Sequence, residues 1–230
     1  MNRYDRQTLL PEIGEEGQRK LSAAKVLLIG MGGLGSPIAL YLVGAGVGTI
    51  GLVDDDVVSI TNLQRQIIYT EAEIGQSKVL CAQKRLQQLN SEIIINSFPI
   101  RLDKDNAETI ISQYDIVVDG CDNFATRYLI NDTCILLNKV YVYGAIRSFE
   151  GQVSVFNYKK KINYRHLCPD QEDVANVSPL DKGVMGITPA IVGSIEATEV
   201  IKLICGFGEV LDGKLWMIDL RTMQTNIISL

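Results

Sequence analysis

The chain has 230 residues, 47% of them hydrophobic and 21% charged, an ordinary globular composition long enough for one large domain with a sizeable core. Its 22 Lys and Arg against 27 Asp and Glu leave a net charge of −5, which gives no general electrostatic reason to bind nucleic acid or an anionic membrane. The first 21 residues carry both charge signs without an apolar stretch of signal length, and no later run approaches the ~18 apolar residues of a membrane span. A cytoplasmic, soluble protein is expected. The five cysteines, Cys81, Cys121, Cys134, Cys168 and Cys205, are scattered and form no CxxC pair, so neither a disulfide framework nor a cysteine-rich zinc site is indicated.

Residues 1–24 read as a polar, helical N-terminal arm. Lys25 to Ile29 is a short apolar run that enters a glycine turn and then an apolar stretch from Leu34 to Ala45, which is strand, turn and helix. Thr49 to Val53 reads as a second strand ending in three acids. In the helix predicted from Ser77 to Leu89, Val79, Leu80, Ala82, Leu86 and Leu89 form the apolar face. The alternation continues with a strand opening at Ile93 to Ile95, a helix over Asn106 to Ser112, a strand over Asp115 to Val118, a helix over Ala125 to Leu137 and a strand over Val140 to Val142. Repeated strand–helix units with wholly apolar strands predict a Rossmann-like α/β fold: a mostly parallel sheet with helices on both faces. Gly151 to Tyr158 alternates as a half-exposed antiparallel strand would, and residues 159–187 form a long loop expected near the active site. Pro189 opens an apolar helix to about Cys205, and Lys214 to Asp219 with Gln224 to Ile228 extend the sheet with antiparallel strands. With no repeat or composition break, residues 1–230 read as a single domain.

Gly30-Met31-Gly32-Gly33-Leu34-Gly35 follows the first strand and opens a helix, the context in which glycines let phosphates approach a helix N-terminus. Asp54 ends the second strand, where an acid can accept hydrogen bonds from ribose hydroxyls. The alternative is that Gly32 and Gly33 only permit tight packing and that Asp54 to Asp56 is a solvated turn. These residues do not choose between NAD and ATP. Asn62, Arg65, Gln66 and Lys78 add amides and two fixed cations just beyond the ribose acid, which favours a triphosphate whose developing charge must be offset. Arg65 as a surface ion pair and Lys78 as a solvated helix start are the plain alternatives. The fourth strand ends in Asp119-Gly120-Cys121-Asp122-Asn123, at the same sheet edge. A carboxylate there could hold Mg²⁺, or Asp122 or Asn123 could simply cap the following helix.

Taken together, Arg3 to Gln7, Leu9 to Leu21, GMGGLGS, AGVGTIGLVDDDVV, TNLQRQ, GQSK, DGCDNFATR, EGQVSVF and GSIEATEVIKL resemble, in order, the activating enzymes of ubiquitin-like sulfur carriers: ThiF, MoeB and HesA, which are similar to the adenylation domain of ubiquitin-activating enzymes. The resemblance implies that Gly30, Gly32, Gly33, Gly35 and Asp54 hold ATP and that Asn62, Arg65, Gln66 and Lys78 face the triphosphate. It further implies that Asp122 positions Mg²⁺ and that Arg6 reaches the ATP site of a partner subunit in a homodimer. The catalytic set is thus Arg6, Arg65, Lys78 and Asp122. The implied reaction is adenylylation of the C-terminal glycine carboxylate of a carrier protein ending in Gly-Gly, for thiocarboxylate formation in thiamine, preferred here, or molybdopterin biosynthesis.

Relatives in this family carry two CxxC pairs around a structural Zn²⁺. Here the first is replaced by Asn163-Tyr164-Arg165-His166 and the second does not appear, so no structural zinc is expected. Where several relatives have a reactive cysteine, Ser178 and Pro179 stand instead. Cys168 is the one cysteine in a polar loop; Cys81, Cys134 and Cys205 read as core, and Cys121 as packed beside the site. Competing readings are an NAD-dependent oxidoreductase and a non-catalytic ATP- or carrier-binding protein. A dehydratase acting on modified transfer RNA gains nothing from the acidic balance.

Overall fold

A computed structural model describes residues 3–169 and 183–230. Two short helices, α1 (Asp5–Thr8) and α2 (Gly14–Ala23), lead into β1 (Lys25–Ile29), α3 (Gly35–Ala45) and β2 (Thr49–Val53). Single 3-10 turns at Ile60–Asn62 and Glu71–Glu73 precede α4 (Lys78–Leu89), β3 (Ile94–Phe98), α5 (Ala107–Ile111), β4 (Ile116–Asp119), α6 (Phe124–Leu136) and β5 (Val140–Arg147). The chain continues through β6 (Glu150–Phe156), α7 (Tyr164–Leu167), α8 (Ile187–Cys205), β7 (Lys214–Asp219) and β8 (Gln224–Ser229).

The eight strands form one sheet in the order β3-β2-β1-β4-β5-β6-β7-β8. The first five are parallel, with Leu27 opposite Gly51 on one side and Val117 on the other. From β5 onward the pairings are antiparallel. The central strands β2, β1 and β4 are buried on both faces, whereas β3 at the edge carries Asn96 and Ser97 and leaves Ile94 exposed. Val26 and Leu28 of β1 point into one core with Ile38 and Leu42 of α3 and Val192 and Val200 of α8, while Leu27 and Ile29 point into the other with Ile110 of α5 and Tyr128 and Ile130 of α6. A continuous apolar run is what a strand buried on both sides requires. β8 lies at the sheet's edge with all six residues exposed.

The expected Rossmann-like sheet with an antiparallel extension is therefore present, with three local differences. β5 runs to Arg147 rather than Val142, because its pairing with β6 continues through Gly144 to Arg147 opposite Glu150. The polar segment after Tyr158 contains α7, whose turn is closed by Asn163: its Oδ1 accepts from the Arg165 amide, and the Asn163 amide donates to His166 Nδ1. Leu80 and Leu89, placed on the apolar face of α4, are exposed; Val79, Ala82 and Leu86 alone of that set are buried. Residues 170–182, which include Ser178, Pro179 and much of the long loop, lie outside the described residues. No described helix is long and apolar enough to cross a membrane.

Candidate nucleotide site

Strand order reverses direction at the β1–β4 pair, so the carboxyl ends of these neighbours frame a crevice. Gly30 follows β1 with φ +94°, and Gly120 follows β4. Their backbones touch: a Cβ on Gly30 would strike the Gly120 carbonyl, and one on Gly120 the Gly30 carbonyl. Only glycine at both positions lets the two turns approach, which brings the Gly30–Gly35 turn beside the turn that carries Asp122. At the N-terminus of α3 the Ser36 amide already donates to the Gly32 carbonyl at 3.1 Å and Pro37 has no N–H, so what the helix start offers an anion is its dipole together with the amides of the glycine turn.

Asp54 at the end of β2 accepts the Met31 amide through Oδ2 at 2.7 Å and the Asp56 amide through Oδ1 at 2.8 Å. Burial raises its pKa, while the Met31 hydrogen bond and the charge of Lys78 pull it back. The carboxyl thus has a fixed orientation beside the glycine turn, and its remaining lone pairs can accept from a ribose. Tyr69, which the sequence reading did not single out, donates its hydroxyl to the Met31 carbonyl at 2.8 Å, and burial above all pushes its phenol up and keeps it a donor. Met31 is consequently held from both sides.

The segment after β2 returns over this turn. Asn62 closes its 3-10 turn by accepting the Ser59 amide at 3.1 Å, and its carbonyl accepts the amides of Arg65 and Gln66. Arg65 lies half-buried with its Cδ 3.5 Å from where a Cβ on Gly33 would stand, its Nη1 donating to the Thr61 carbonyl at 3.1 Å. Among the described residues it makes no ion pair of the kind considered for it. Gln66 is buried with Nε2 beside Gly32, and its Oε1 finds no partner among the described residues. Lys78 is not a solvated helix start: its side chain is 6% exposed and its Nζ meets the exposed Asp56 carboxylate at 2.8 Å. Pro189 at the start of α8 closes the turn from the far side, 3.1 Å from the Gly33 Cβ position.

On the second turn the three acceptors have separate employments. Asp119 is wholly buried and bonded to Arg127 Nε at 3.0 Å, the Tyr141 hydroxyl at 2.8 Å and the Cys121 amide at 2.9 Å. Asn123 takes the cap of α6, accepting the Thr126 amide at 2.9 Å. Asp122 remains exposed at the crevice. The Cys121 thiol is buried, with burial and then Asp119 pushing its pKa well up, so it packs rather than reacts.

Arg6 is the one expected site residue that the chain does not bring here. α1 packs at the opposite end of α3, where Gln7 donates to the Ala45 carbonyl. The eleven residues of α3 separate that end from the glycine turn by about 16 Å. Among the described residues, the single group of three or more His, Cys, Asp and Glu side chains close enough to share an ion is Asp54, Asp55 and Asp56. His166 is exposed and engaged with Asn163, Cys168 is half-buried, and Cys81, Cys134 and Cys205 are buried.

A doubly wound sheet whose switch point gathers a glycine turn, a fixed carboxylate, two cations and a second acid defines a Rossmann-type protein with a site suited to a nucleotide. The chain belongs to the ThiF family, whose model matches residues 4–230. It is 46% identical over 225 residues to a sulfur carrier protein adenylyltransferase of Thermus thermophilus, covering 95% of this chain and 83% of that protein. It is 46% identical to a probable molybdopterin-synthase adenylyltransferase of Porphyra purpurea and 49% identical to an adenylyltransferase and sulfurtransferase MOCS3 of Culex quinquefasciatus, covering 92% and 94% of this chain. It spans only 56% and 50% of those two longer proteins. The crystal structure of E. coli MccB with ATP shares the fold, with a TM-score of 0.86 over 99% of this chain and 70% of MccB at 24% identity.

Proposed function

We propose that this chain is a nucleotidyltransferase that uses ATP to activate the C-terminal glycine carboxylate of a small ubiquitin-like sulfur carrier. The carrying observation is the meeting of Asp54, the glycine turn, Arg65, Gln66, Lys78 and Asp122 at one crevice. Asp54, oriented by the Met31 and Asp56 amides, accepts from the ribose; the N-terminus of α3 receives phosphate; Arg65 and Lys78 lie on the side where the triphosphate extends. One carboxylate oxygen of the carrier attacks the α-phosphorus, the bond from that phosphorus to the bridging oxygen breaks, and pyrophosphate leaves. No side-chain base is required, since the nucleophile is ionised near neutral pH. What the reaction demands is suppression of anion–anion repulsion and an in-line geometry, and the two cations have the sign for it.

Mg²⁺ fits the residues present. It prefers one or two carboxylates together with phosphate oxygens, and among the described residues Asp122 is the acid at this turn that neither a cap nor an ion pair consumes. When bound there it supplies positive charge to the triphosphate. Arg6, on α1 at the end of α3 that lies about 16 Å from the glycine turn of its own chain, serves the site of a partner subunit in a homodimer. Among the relatives named above, one refers to molybdopterin synthase and none to thiamine. The molybdopterin carrier is therefore the first substrate to try, beside the thiamine carrier favoured from the sequence.

Carrier-dependent exchange of labelled pyrophosphate into ATP tests the reading. Exchange with a carrier ending in Gly-Gly, abolished by Asp122→Ala, is expected. Folded protein that exchanges with no carrier and gains thermal stability from NAD instead would return the oxidoreductase reading.

A further inference from the structure

We propose that Arg127 and Asp119 act as a positioning pair that fixes the peptide between Cys121 and Asp122 and so aims the Asp122 carboxylate into the crevice. The inference rests on the adenylylation reading for what Asp122 does, but not for how Asp122 is held.

The turn from Gly120 to Asn123 is only four residues long and its acid points outward, so its geometry must come from elsewhere. It comes from beneath. Asp119 Oδ1 accepts the Cys121 amide at 2.9 Å, and Arg127 Nη2 donates to the Cys121 carbonyl at 3.0 Å. That carbonyl belongs to the same peptide plane as the Asp122 amide, so both peptides flanking Cys121 are pinned by one ion pair. The pair is itself locked. Arg127 Nε meets Asp119 Oδ2 at 3.0 Å, the Tyr141 hydroxyl donates to that same oxygen at 2.8 Å, and Arg127 Nη2 also reaches the Gly144 carbonyl of β5 at 3.3 Å. The guanidinium lies between the Phe124 and Tyr143 rings, with its carbon 5.7 and 5.5 Å from their centroids.

Asp119 is wholly buried and the Arg127 side chain is 8% exposed. A buried ion pair gains little stability over an apolar pair of the same shape, because desolvation offsets the attraction. Its advantage is direction: a planar fork has several donors at fixed angles, which a lysine ammonium does not reproduce. Here two of those donors reach the Cys121 and Gly144 carbonyls while a third reaches the acid.

The test uses the whole chain with Arg127→Lys and with Tyr141→Phe, the second removing one hydrogen bond to Asp119 and leaving the ion pair should the first fail to fold. Arg127→Lys is expected to lower kcat of pyrophosphate exchange about 100-fold, the cost of an ångström-scale misplacement, with KM for ATP changed less than about threefold. Tyr141→Phe should show the same pattern at a fraction of the size. Amide hydrogen exchange over residues 119–124 should quicken in both variants while β1 and α3 stay protected. A KM for ATP that rises as much as kcat falls, or unchanged hydrogen exchange over 119–124 in both variants, would overturn the positioning role. Should the wild type exchange pyrophosphate with no carrier, the adenylylation reading fails, and the hydrogen-exchange result alone decides whether the pair holds the turn.

Discussion

Glu196 offers a test of how the core beneath the site is built. It lies on α8 with no exposure, its carboxyl against the Cα of Gly144, and neither oxygen finds a partner among the described residues. Burial raises its pKa well above the ordinary 4.5, the Asp119 carboxylate adds to the rise and the Arg127 guanidinium opposes it. An acid held neutral in the folded chain keeps its proton where the unfolded chain has lost it, so its contribution is fully present below about pH 4.5 and falls as pH rises. The loss is about 1.4 kcal/mol per pH unit until the folded-state carboxyl itself ionises. Glu196→Gln keeps the shape and removes the titration. In a chain of this size 1 kcal/mol moves the melting temperature by about 2–4 °C, so the variant's advantage should grow by about 3–6 °C for each pH unit above pH 5 while that slope holds. Thermal unfolding of both proteins at pH 5, 6, 7 and 8 and constant ionic strength measures it. A gap that does not change with pH, or a variant less stable throughout, would mean that Glu196 is ionised in the native protein and compensated by Arg127, and the reasoning would be refuted.

Gly30→Ala places a side chain at φ +94° and against the Gly120 carbonyl. It should cost about 3 kcal/mol or more in urea unfolding; a loss below about 1 kcal/mol would show that the two turns can separate. Asp54→Ala should weaken ATP binding about 10- to 100-fold in calorimetry, the worth of one or two charge-assisted hydrogen bonds, while tripolyphosphate, which has no ribose, binds as before. Equal losses for both ligands would mean that Asp54 shapes the glycine turn rather than holding a sugar. Incubation with EDTA should leave the melting temperature of the unliganded protein unchanged, since a structural zinc site would couple its loss to unfolding.

The centre of the parallel half is legible because Val26 to Ile29 and Ile116 to Val118 are apolar runs, and Thr49 to Val53 is predicted to the residue; Asn96 and Ser97 interrupt the pattern in edge strand β3. The antiparallel half was legible in outline. Gly144 breaks the apolar run of β5, so the sequence predicts a strand that ends at Val142, and the reason for that glycine is the Glu196 carboxyl packed against it from α8. In the site, Gly30, Asp54 and Asp122 carry local signals: a turn after a strand, an acid at a strand's end, an acid before a helix. The division of labour among Asp119, Asp122 and Asn123 does not, because it depends on Arg127, which lies five residues beyond Asp122 but acts through a fold in three dimensions. A hint was available. Asp119 is an acid ending an apolar strand, and such a residue needs a buried partner. Leu80 and Leu89 of α4 match helical spacing yet stay exposed, since spacing alone does not say how wide a face the sheet covers. Tyr69 had no signal at all, its partner being a backbone carbonyl 38 positions away.

The central claim is that this crevice joins a carrier's carboxylate to the α-phosphate of ATP. Exchange of labelled pyrophosphate into ATP measures it most directly, with molybdopterin and thiamine carriers ending in Gly-Gly offered separately. Exchange that needs one of these carriers and disappears in Asp122→Ala is the predicted result. Folded protein that binds ATP but supports no exchange with either carrier would contradict it.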